Sequence, residues 1–279
     1  MNLIGEILEY SFIQRAFLIG VLISVAATLV GVMLVLRKNS MIGDGLSHTA
    51  FGAFAVATVL GITPIYFAIP VVILFSFIII RLSNSRKING DAAIALLSAA
   101  SLAIGTMAIS VSGGVNIDLN SYLFGSILSV SWGEVLLSLI LAGIVILFYI
   151  FAQNRIFAIT FDEEFAESIG IKTKIYDAIF AIICSVVIVL GMRLLGALLI
   201  SSLIIFPTVI AMKFAKSFRR VVVYSIIISV INFIIGFFVS YIIGSPTGAT
   251  VVIVNLGGLV ITELVMVGAG GIEPPTNRL

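Results

Sequence analysis

Two potential metal ligands lie four residues apart near the start of an apolar segment. They are Asp44 and His48, and His48 is the only histidine in the chain. In a helix, this spacing brings a carboxylate and an imidazole onto one face, about one turn apart. One oxygen and one nitrogen donor suit zinc, manganese or ferrous iron better than an alkali cation or a sugar. The pair indicates a divalent-metal path, unless Asp44 caps a helix and His48 is an ordinary buried polar residue.

The composition of the chain predicts that this pair lies in a membrane protein. Of the 279 residues, 61% are hydrophobic and 10% are charged, and several apolar runs reach the roughly 20 residues that cross a bilayer. Backbone polar groups at that depth must be satisfied within each segment, which predicts helices. We therefore expect an all-α polytopic membrane protein. The single cysteine, Cys184, excludes an intrachain disulfide, and no basic tract indicates nucleic acid.

The apolar runs predict eight or nine transmembrane helices, the first over residues 12–36. The run 178–212 is shorter than two full crossings of about 20 residues each, so it predicts either two short helices or one re-entrant helix. Residues 92–111 are rich in Ala, Ser and Gly. Small residues let helices approach closely in lipid, so we expect this span inside the bundle.

Basic residues cluster in four loops, which predicts that these loops are cytoplasmic and that the N-terminus is outside. The loops are residues 37–38, 81–87, 155–174 and 213–220. Residues 1–267 are expected to form one transmembrane domain whose longest polar loop is 153–177. Residues 268–279 change abruptly to a composition containing Gly, Pro, Asn and Arg, and we expect them to be a flexible tail.

An acidic cluster lies in that longest polar loop. Its members are Asp162, Glu163, Glu164 and Glu167, and Gly170 follows as a stop for a short helix. Such a cluster is either a solvated helix face or a docking helix that a soluble partner grips in order to move the bundle.

The chain lacks the motifs of two membrane-associated enzyme classes. It has neither a Gly-x-x-x-x-Gly-Lys-Ser/Thr phosphate loop nor a His-Glu-x-x-His zinc-protease pair. With one histidine and one cysteine, even a three-residue zinc site would need mainly carboxylates. This deficit suits transport, in which a complete and tight cage would trap the ion. We therefore expect a transport subunit without an ATP site, and not an enzyme.

Five segments occur in an order and at spacings that resemble the membrane permease of the zinc/manganese/iron ABC importers. They are residues 43–48 (Gly-Asp-Gly-Leu-Ser-His), 118–125 (Asp-Leu-Asn-Ser-Tyr-Leu-Phe-Gly), 161–166 (Phe-Asp-Glu-Glu-Phe-Ala) with Gly170, 193–199 (Arg-Leu-Leu-Gly-Ala-Leu-Leu) running to Pro207, and 246–248 (Pro-Thr-Gly). The resemblance covers residues 18–260. It implies a type II ABC importer in a bacterial cytoplasmic membrane: a homodimer of permeases in lipid, two ATPase subunits, and an extracytoplasmic metal-binding receptor. It implies no permanently bound cofactor.

The resemblance also assigns roles to individual residues. Asp44 and His48 match the acidic and histidine positions of the metal pathway, and Asp118 matches an acidic position on the outward side. Phe161, the acidic cluster and Gly170 match the coupling helix that docks in the ATPase.

The sequence departs from the family pattern in two places. Gly244 occupies a position, two residues before the Pro-Thr-Gly turn, that is often acidic in the family, and residues 268–279 match nothing in it. Gly244 therefore weakens any assignment of a metal ligand at that position. No role is assigned to residues 268–279.

These observations predict the permease subunit of an ATP-driven divalent-metal importer, in which the ion passes Asp44 and His48 by alternating access. Zinc is the first expectation, with manganese or iron next. One alternative is an ABC permease for an iron chelate or cobalamin, whose large cargo would have little need of the pair. Another is a secondary metal transporter driven by an ion gradient, which would need chains of ionisable residues at mid-membrane. A non-transport scaffold would leave the pair and the acidic loop unexplained.

Overall fold

Ten α-helices make up the described part of the chain in the computed structural model, which covers residues 10–83, 90–112, 125 and 132–270. They are α1 Ser11–Leu36, α2 Met41–Val59, α3 Pro64–Ser83, α4 Gly90–Val111, α5 Trp132–Phe161, α6 Glu163–Ser168, α7 Thr173–Leu195, α8 Ala197–Phe214, α9 Phe218–Ile243 and α10 Thr247–Gly270.

The apolar helices confirm the prediction of an all-α polytopic membrane protein. Seven helices in the described residues are long and apolar enough to cross a membrane, and α3 contributes the shorter apolar stretch Pro64–Ile79. The more polar α2 packs among them, against α3, α4 and α8. The first helix begins one residue before its predicted start and ends at the predicted Leu36.

Residues 178–212 fall in two helices, which decides between the two predicted arrangements. Gly196 separates α7 from α8 with a φ of 91°, in the left-handed region that glycine adopts without a Cβ penalty. Helix α8 has 18 residues and is thus about 27 Å long, slightly less than the hydrocarbon thickness of about 30 Å. Both helices are apolar enough to span a membrane. The run 178–212 therefore lies in two separate helices, of which α8 is the short one.

Glycine residues allow α2 to pack very closely against α4. Glycine costs about 1 kcal/mol relative to alanine inside a helix, yet α2 contains Gly43, Gly45 and Gly52. A Cβ on Gly52 would lie 2.4 Å from the carbonyl oxygen of Ser101 in α4, and one on Gly105 would lie 2.8 Å from the Cα of Gly52. The two backbones therefore touch, and the absence of side chains permits this contact.

The prediction that residues 92–111 lie inside the bundle is wrong for the single protomer. The buried residues of α4 are Ala93, Ile94, Ser101 and Gly105, whereas Leu96 and Met107 are exposed. The small residues allow close contact with α2 on one face, and the opposite face of α4 is uncovered.

Replacing Gly52 with alanine is expected to destabilise the bundle by about 1–3 kcal/mol, because the new methyl group cannot fit against the Ser101 carbonyl. Thermal unfolding of the purified protein in detergent measures this loss. Gly143→Ala in α5 is the matched control, since nothing lies within 4 Å of its Cβ position. Equal melting temperatures for the two variants would contradict the tight α2–α4 contact.

Helices α5 and α10 extend further than the sequence indicated. Helix α5 continues through Gln153 to Phe161 and α7 begins at Thr173, so the part of the polar region 153–177 outside the long helices is 162–172. Helix α10 runs to Gly270, three residues into the predicted tail, and residues 271–279 lie outside the described part of the chain.

Candidate functional site

The Asp44/His48 pair lies at the beginning of α2. Ser40 occupies the N-cap position without a side-chain hydrogen bond, and Asp44 is the acidic residue of the first turn. A carboxylate there is favoured by the helix dipole. Asp44 is not a capping residue, because its two carboxylate oxygens face His48 and α8. The structure therefore rules out the alternative in which Asp44 caps the helix.

The geometry of the pair suits a shared ligand. The Nε2 atom of His48 lies 3.5 Å from Oδ2 of Asp44, and the side chains retain 30% and 44% of their exposure. If an ion lay about 2.1 Å from each atom, its two bonds would meet at an angle of about 113°, close to the tetrahedral value that zinc prefers. The Nδ1 atom of His48 is buried and has no hydrogen-bond partner in the described structure. Oδ2 of Asp44 and Nε2 of His48 therefore lie close together, while Nδ1 on the other side of the imidazole ring has no hydrogen bond to hold the ring in place.

A serine from a distant helix completes the surroundings of this pair. Ser201 in α8 donates a hydrogen bond from Oγ to Oδ1 of Asp44 at 3.2 Å. Its Oγ also lies 3.5 Å from Oγ of Ser47, which donates to the Asp44 carbonyl at 2.7 Å. Sequence analysis missed Ser201. The available signal was the polar interruption Ser201-Ser202 in an otherwise apolar run.

Buried amides extend this polar region across the bundle. Asn255 donates from Nδ2 to Oγ of Ser202 at 3.0 Å and accepts from Nδ2 of Asn232 at 2.8 Å. Because polar groups in apolar surroundings are costly unless paired, this network joins α8, α9 and α10 at fixed positions. Sequence analysis did not single out these three residues.

Asp118 falls outside the described residues, so its predicted role stays a prediction. The same segment ends at Gly125, where a Cβ would lie 2.5 Å from the carbonyl carbon of Leu195. The end of the segment thus contacts the turn between α7 and α8. Among the described residues, no group of three or more His, Cys, Asp or Glu side chains could hold a metal, so Asp44 and His48 stand as a pair of candidate ligands within one protomer.

The acidic cluster forms the short helix α6, as the sequence predicted. Asp162 is its N-cap and accepts a hydrogen bond from the Phe165 amide at 2.8 Å. Glu167 accepts one from the Thr173 hydroxyl at 2.7 Å, and Gly170 ends the segment with a φ of 85°. Phe161 belongs to the last turn of α5 and not to α6. The cluster is therefore held by caps at both ends, between two long helices.

Two of the glutamates of α6 differ in their surroundings. Both are exposed, but only Glu163 also lines a cavity of about 250 Å³ together with Arg37 and Asp177. Arg37 pairs with Asp177 at 2.7 Å. Burial raises the pKa of Glu163, and the Asp177 carboxylate adds to this effect while the Arg37 guanidinium opposes it. The shared cavity and these charges place Glu163 near the end of α1, one turn of chain before α2.

Apolar side chains on the outer surface of α6 were not predicted to matter. Phe161, Phe165 and Ile169 are spaced by four residues and are 58%, 55% and 56% exposed. Phe165 lies in α6 and Ile169 is its C-cap, whereas Phe161 ends α5 and is separated from them by Asp162, whose backbone is extended (φ −153°). Exposed apolar groups rimmed by carboxylates mark a protein contact surface more often than a purely solvated face.

A multi-pass helical bundle that holds a polar pair and carries a short acidic helix on its surface defines a membrane transport subunit. The chain belongs to the ABC 3 transport family, whose family model matches residues 9–266. It is therefore a multi-pass membrane permease and not an enzyme, and the ATPase of such a system is a separate subunit.

Individual relatives agree with this assignment. The manganese import system permease protein ScaB of Streptococcus gordonii is 30% identical over 217 residues, covering 78% of each chain. The high-affinity zinc uptake system membrane protein ZnuB of Haemophilus influenzae is 28% identical over 218 residues, covering 78% of this chain and 84% of that one. The solved structure of PsaBC from Streptococcus pneumoniae in complex with Fab superposes with a TM-score of 0.83 at 25% identity, covering 93% of each chain.

Proposed function

We propose that this permease imports a divalent metal ion, with zinc as the preferred cargo, and that the ion passes between Asp44 and His48. The observation that carries the proposal is the convergence of Nε2 and Oδ2 at 3.5 Å. The names of the relatives, a manganese import permease and a zinc uptake membrane protein, support a metal cargo. Membership of an ABC transport family argues against the gradient-driven alternative.

A second copy of the chain supplies the ligands that one protomer lacks. Zinc is bound by about four ligands, and one protomer offers two in the described residues. Both side chains are partly exposed in the single protomer, so they are accessible to a symmetric partner. A homodimer that brings two Asp44/His48 pairs together would provide two carboxylates and two imidazoles.

The absence of a second hydrogen bond to the His48 ring favours release of the ion. Histidines that bind metals tightly donate their second ring N–H to a partner, and loss of such a partner costs about 10–100-fold in affinity. The Nδ1 atom of His48 has no such partner in the described structure. A site built this way captures an ion and still lets it leave in each cycle.

In this proposal, two ATPase subunits drive the cycle through α6 and a receptor protein delivers the ion from the opposite side. Acidic and exposed apolar side chains on and beside α6 support a protein-docking role. Glu163 lines the same cavity as Arg37 at the end of α1 and interacts with it electrostatically, so displacement of α6 would change the charges beside the segment that leads into α2. Alternating access then exposes Asp44 and His48 to one side at a time.

Metal uptake by the assembled permease, ATPase and receptor tests the proposal. Since divalent affinities rise from manganese through iron to zinc, we expect excess zinc to suppress manganese and iron uptake more strongly than the reverse. Uptake should cease when the ATPase subunit is inactivated. Uptake that continues without ATP hydrolysis, or no uptake of any of the three ions, would overturn the proposal, whereas preferential uptake of manganese would overturn the choice of zinc alone.

A further inference from the structure

We propose that Ser201 is a positioning residue for the metal pair: its hydroxyl holds the Asp44 carboxylate in the orientation that meets His48. This inference rests on the proposed function, because it concerns the same site. It assigns to α8 a part in metal capture, although both ligands belong to α2.

Ser201 differs from several other serines of the bundle because its hydroxyl donates to a carboxylate, whereas Ser185 and Ser229, which also reach another helix, donate to backbone carbonyls at 3.4 Å. Buried serines commonly donate to the carbonyl four residues earlier in their own helix. Ser24, Ser185 and Ser225 do so, with distances of 2.6, 2.7 and 2.7 Å to Gly20, Ala181 and Val221. Ser201 instead donates across to Oδ1 of Asp44. Its hydroxyl is thus committed to the carboxylate and not to its own helix.

This hydrogen bond determines which carboxylate oxygen is available. With Oδ1 bound to the Ser201 hydroxyl at 3.2 Å, Oδ2 is turned toward Nε2 of His48 at 3.5 Å. Without the serine, the carboxylate is free to rotate about its last torsion, which is broad for aspartate. Residues that orient a ligand in this way typically contribute about 10–100-fold to metal affinity.

The neighbouring contacts fix Ser201 with respect to α9 and α10. The adjacent Ser202 accepts from Asn255, which in turn accepts from Asn232. Near the other end of α8, Lys213 forms an ion pair with Glu263 of α10. Helices α8 and α10 are therefore linked at two points along their length, while α2 is packed closely on α4. A relative movement of these two groups of helices would break the Ser201–Asp44 hydrogen bond and loosen the site.

The test compares Ser201→Ala with the wild-type transporter in the assembled complex, using zinc uptake. We expect the KM for zinc to rise about tenfold or more, while the maximal rate is largely retained because the ligands themselves remain. Ser225→Ala is the matched control, since its hydroxyl bonds only to the carbonyl of Val221 in the hydrogen bonds described for it. It should leave the KM unchanged.

Ser201→Thr and Ser201→Val separate positioning from packing, because the two side chains have the same shape and only threonine keeps the hydroxyl. We expect threonine to restore most of the wild-type KM and valine to behave like alanine. Equal KM values for threonine and valine, or a Ser201→Ala value within twofold of Ser225→Ala, would overturn the inference. His48→Ala, measured in parallel, separates failure of the proposed metal site from failure of the serine's role. Retained uptake by His48→Ala overturns the metal site itself. Abolished uptake by His48→Ala together with an unchanged KM for Ser201→Ala overturns only the role of the serine.

Discussion

Replacing His48 with alanine is expected to reduce metal uptake to background while the complex with the ATPase still assembles. His48 supplies the only imidazole of each protomer, since the chain has no other histidine, and the substitution therefore removes this donor from every copy. Its loss leaves the carboxylate without its partner across the 3.5 Å gap. Removal of a ligand should cost more than the about 10–100-fold that follows from loss of a supporting hydrogen bond. Radiometal uptake and co-purification of the ATPase measure the two effects separately.

The neighbouring Thr49→Val provides the control for His48→Ala. Thr49 is buried beside the site; its hydroxyl donates to the carbonyl of Gly45 in its own helix and accepts from the Ser101 hydroxyl of α4 at 3.4 Å. We expect this variant to assemble and to transport. Wild-type uptake by an assembled His48→Ala complex would remove the Asp44/His48 pair from the metal pathway, while loss of assembly in both variants would show that this part of α2 is needed for folding.

The sequence predicted that Asp44 and His48 lie together, but it did not predict which residues surround them. Asp44 and His48 are four residues apart, so helical periodicity alone brings them together. Ser201 lies 157 residues from Asp44 along the chain, and no local pattern indicates which face of α8 meets α2. The buried Asn232 and Asn255 are likewise 23 residues apart and on different helices. Contacts of this kind depend on helix packing, which hydropathy does not determine.

The limits of helix prediction have similar physical causes. Apolar length located the membrane segments, as in α1, but it underestimated α5, whose polar end continues beyond the roughly 20 residues that a bilayer requires. The small residues of 92–111 indicated close helix approach, and the structure has such an approach at Gly105, against Gly52 of α2. They did not indicate how much of α4 that contact would bury, because a small residue permits approach without specifying the neighbour.

Reversal of Glu163 and Glu164 to lysine is expected to detach the ATPase and abolish transport. Each substitution changes the local charge by two, and α6 carries these residues in its first turn, where cations are disfavoured by the helix dipole. Lysine at position 163 would also face Arg37 in the cavity that now holds a carboxylate. Like charges at an interface cost several kcal/mol, and about 1.4 kcal/mol already corresponds to tenfold in affinity. We therefore expect co-purification of the ATPase to fall at least about tenfold.

Glu134→Lys is the matched charge reversal for this experiment. Glu134 lies near the start of α5, and 27 residues of that helix separate it from Phe161, a distance of about 40 Å. It should leave ATPase association unchanged. Single reversals then divide the effect. A larger loss for Glu163 indicates that its place in the cavity beside Arg37 and Asp177 matters, and a larger loss for Glu164, which does not line that cavity, indicates direct contact with the ATPase. Unchanged association and transport in the double variant would remove α6 from the coupling pathway.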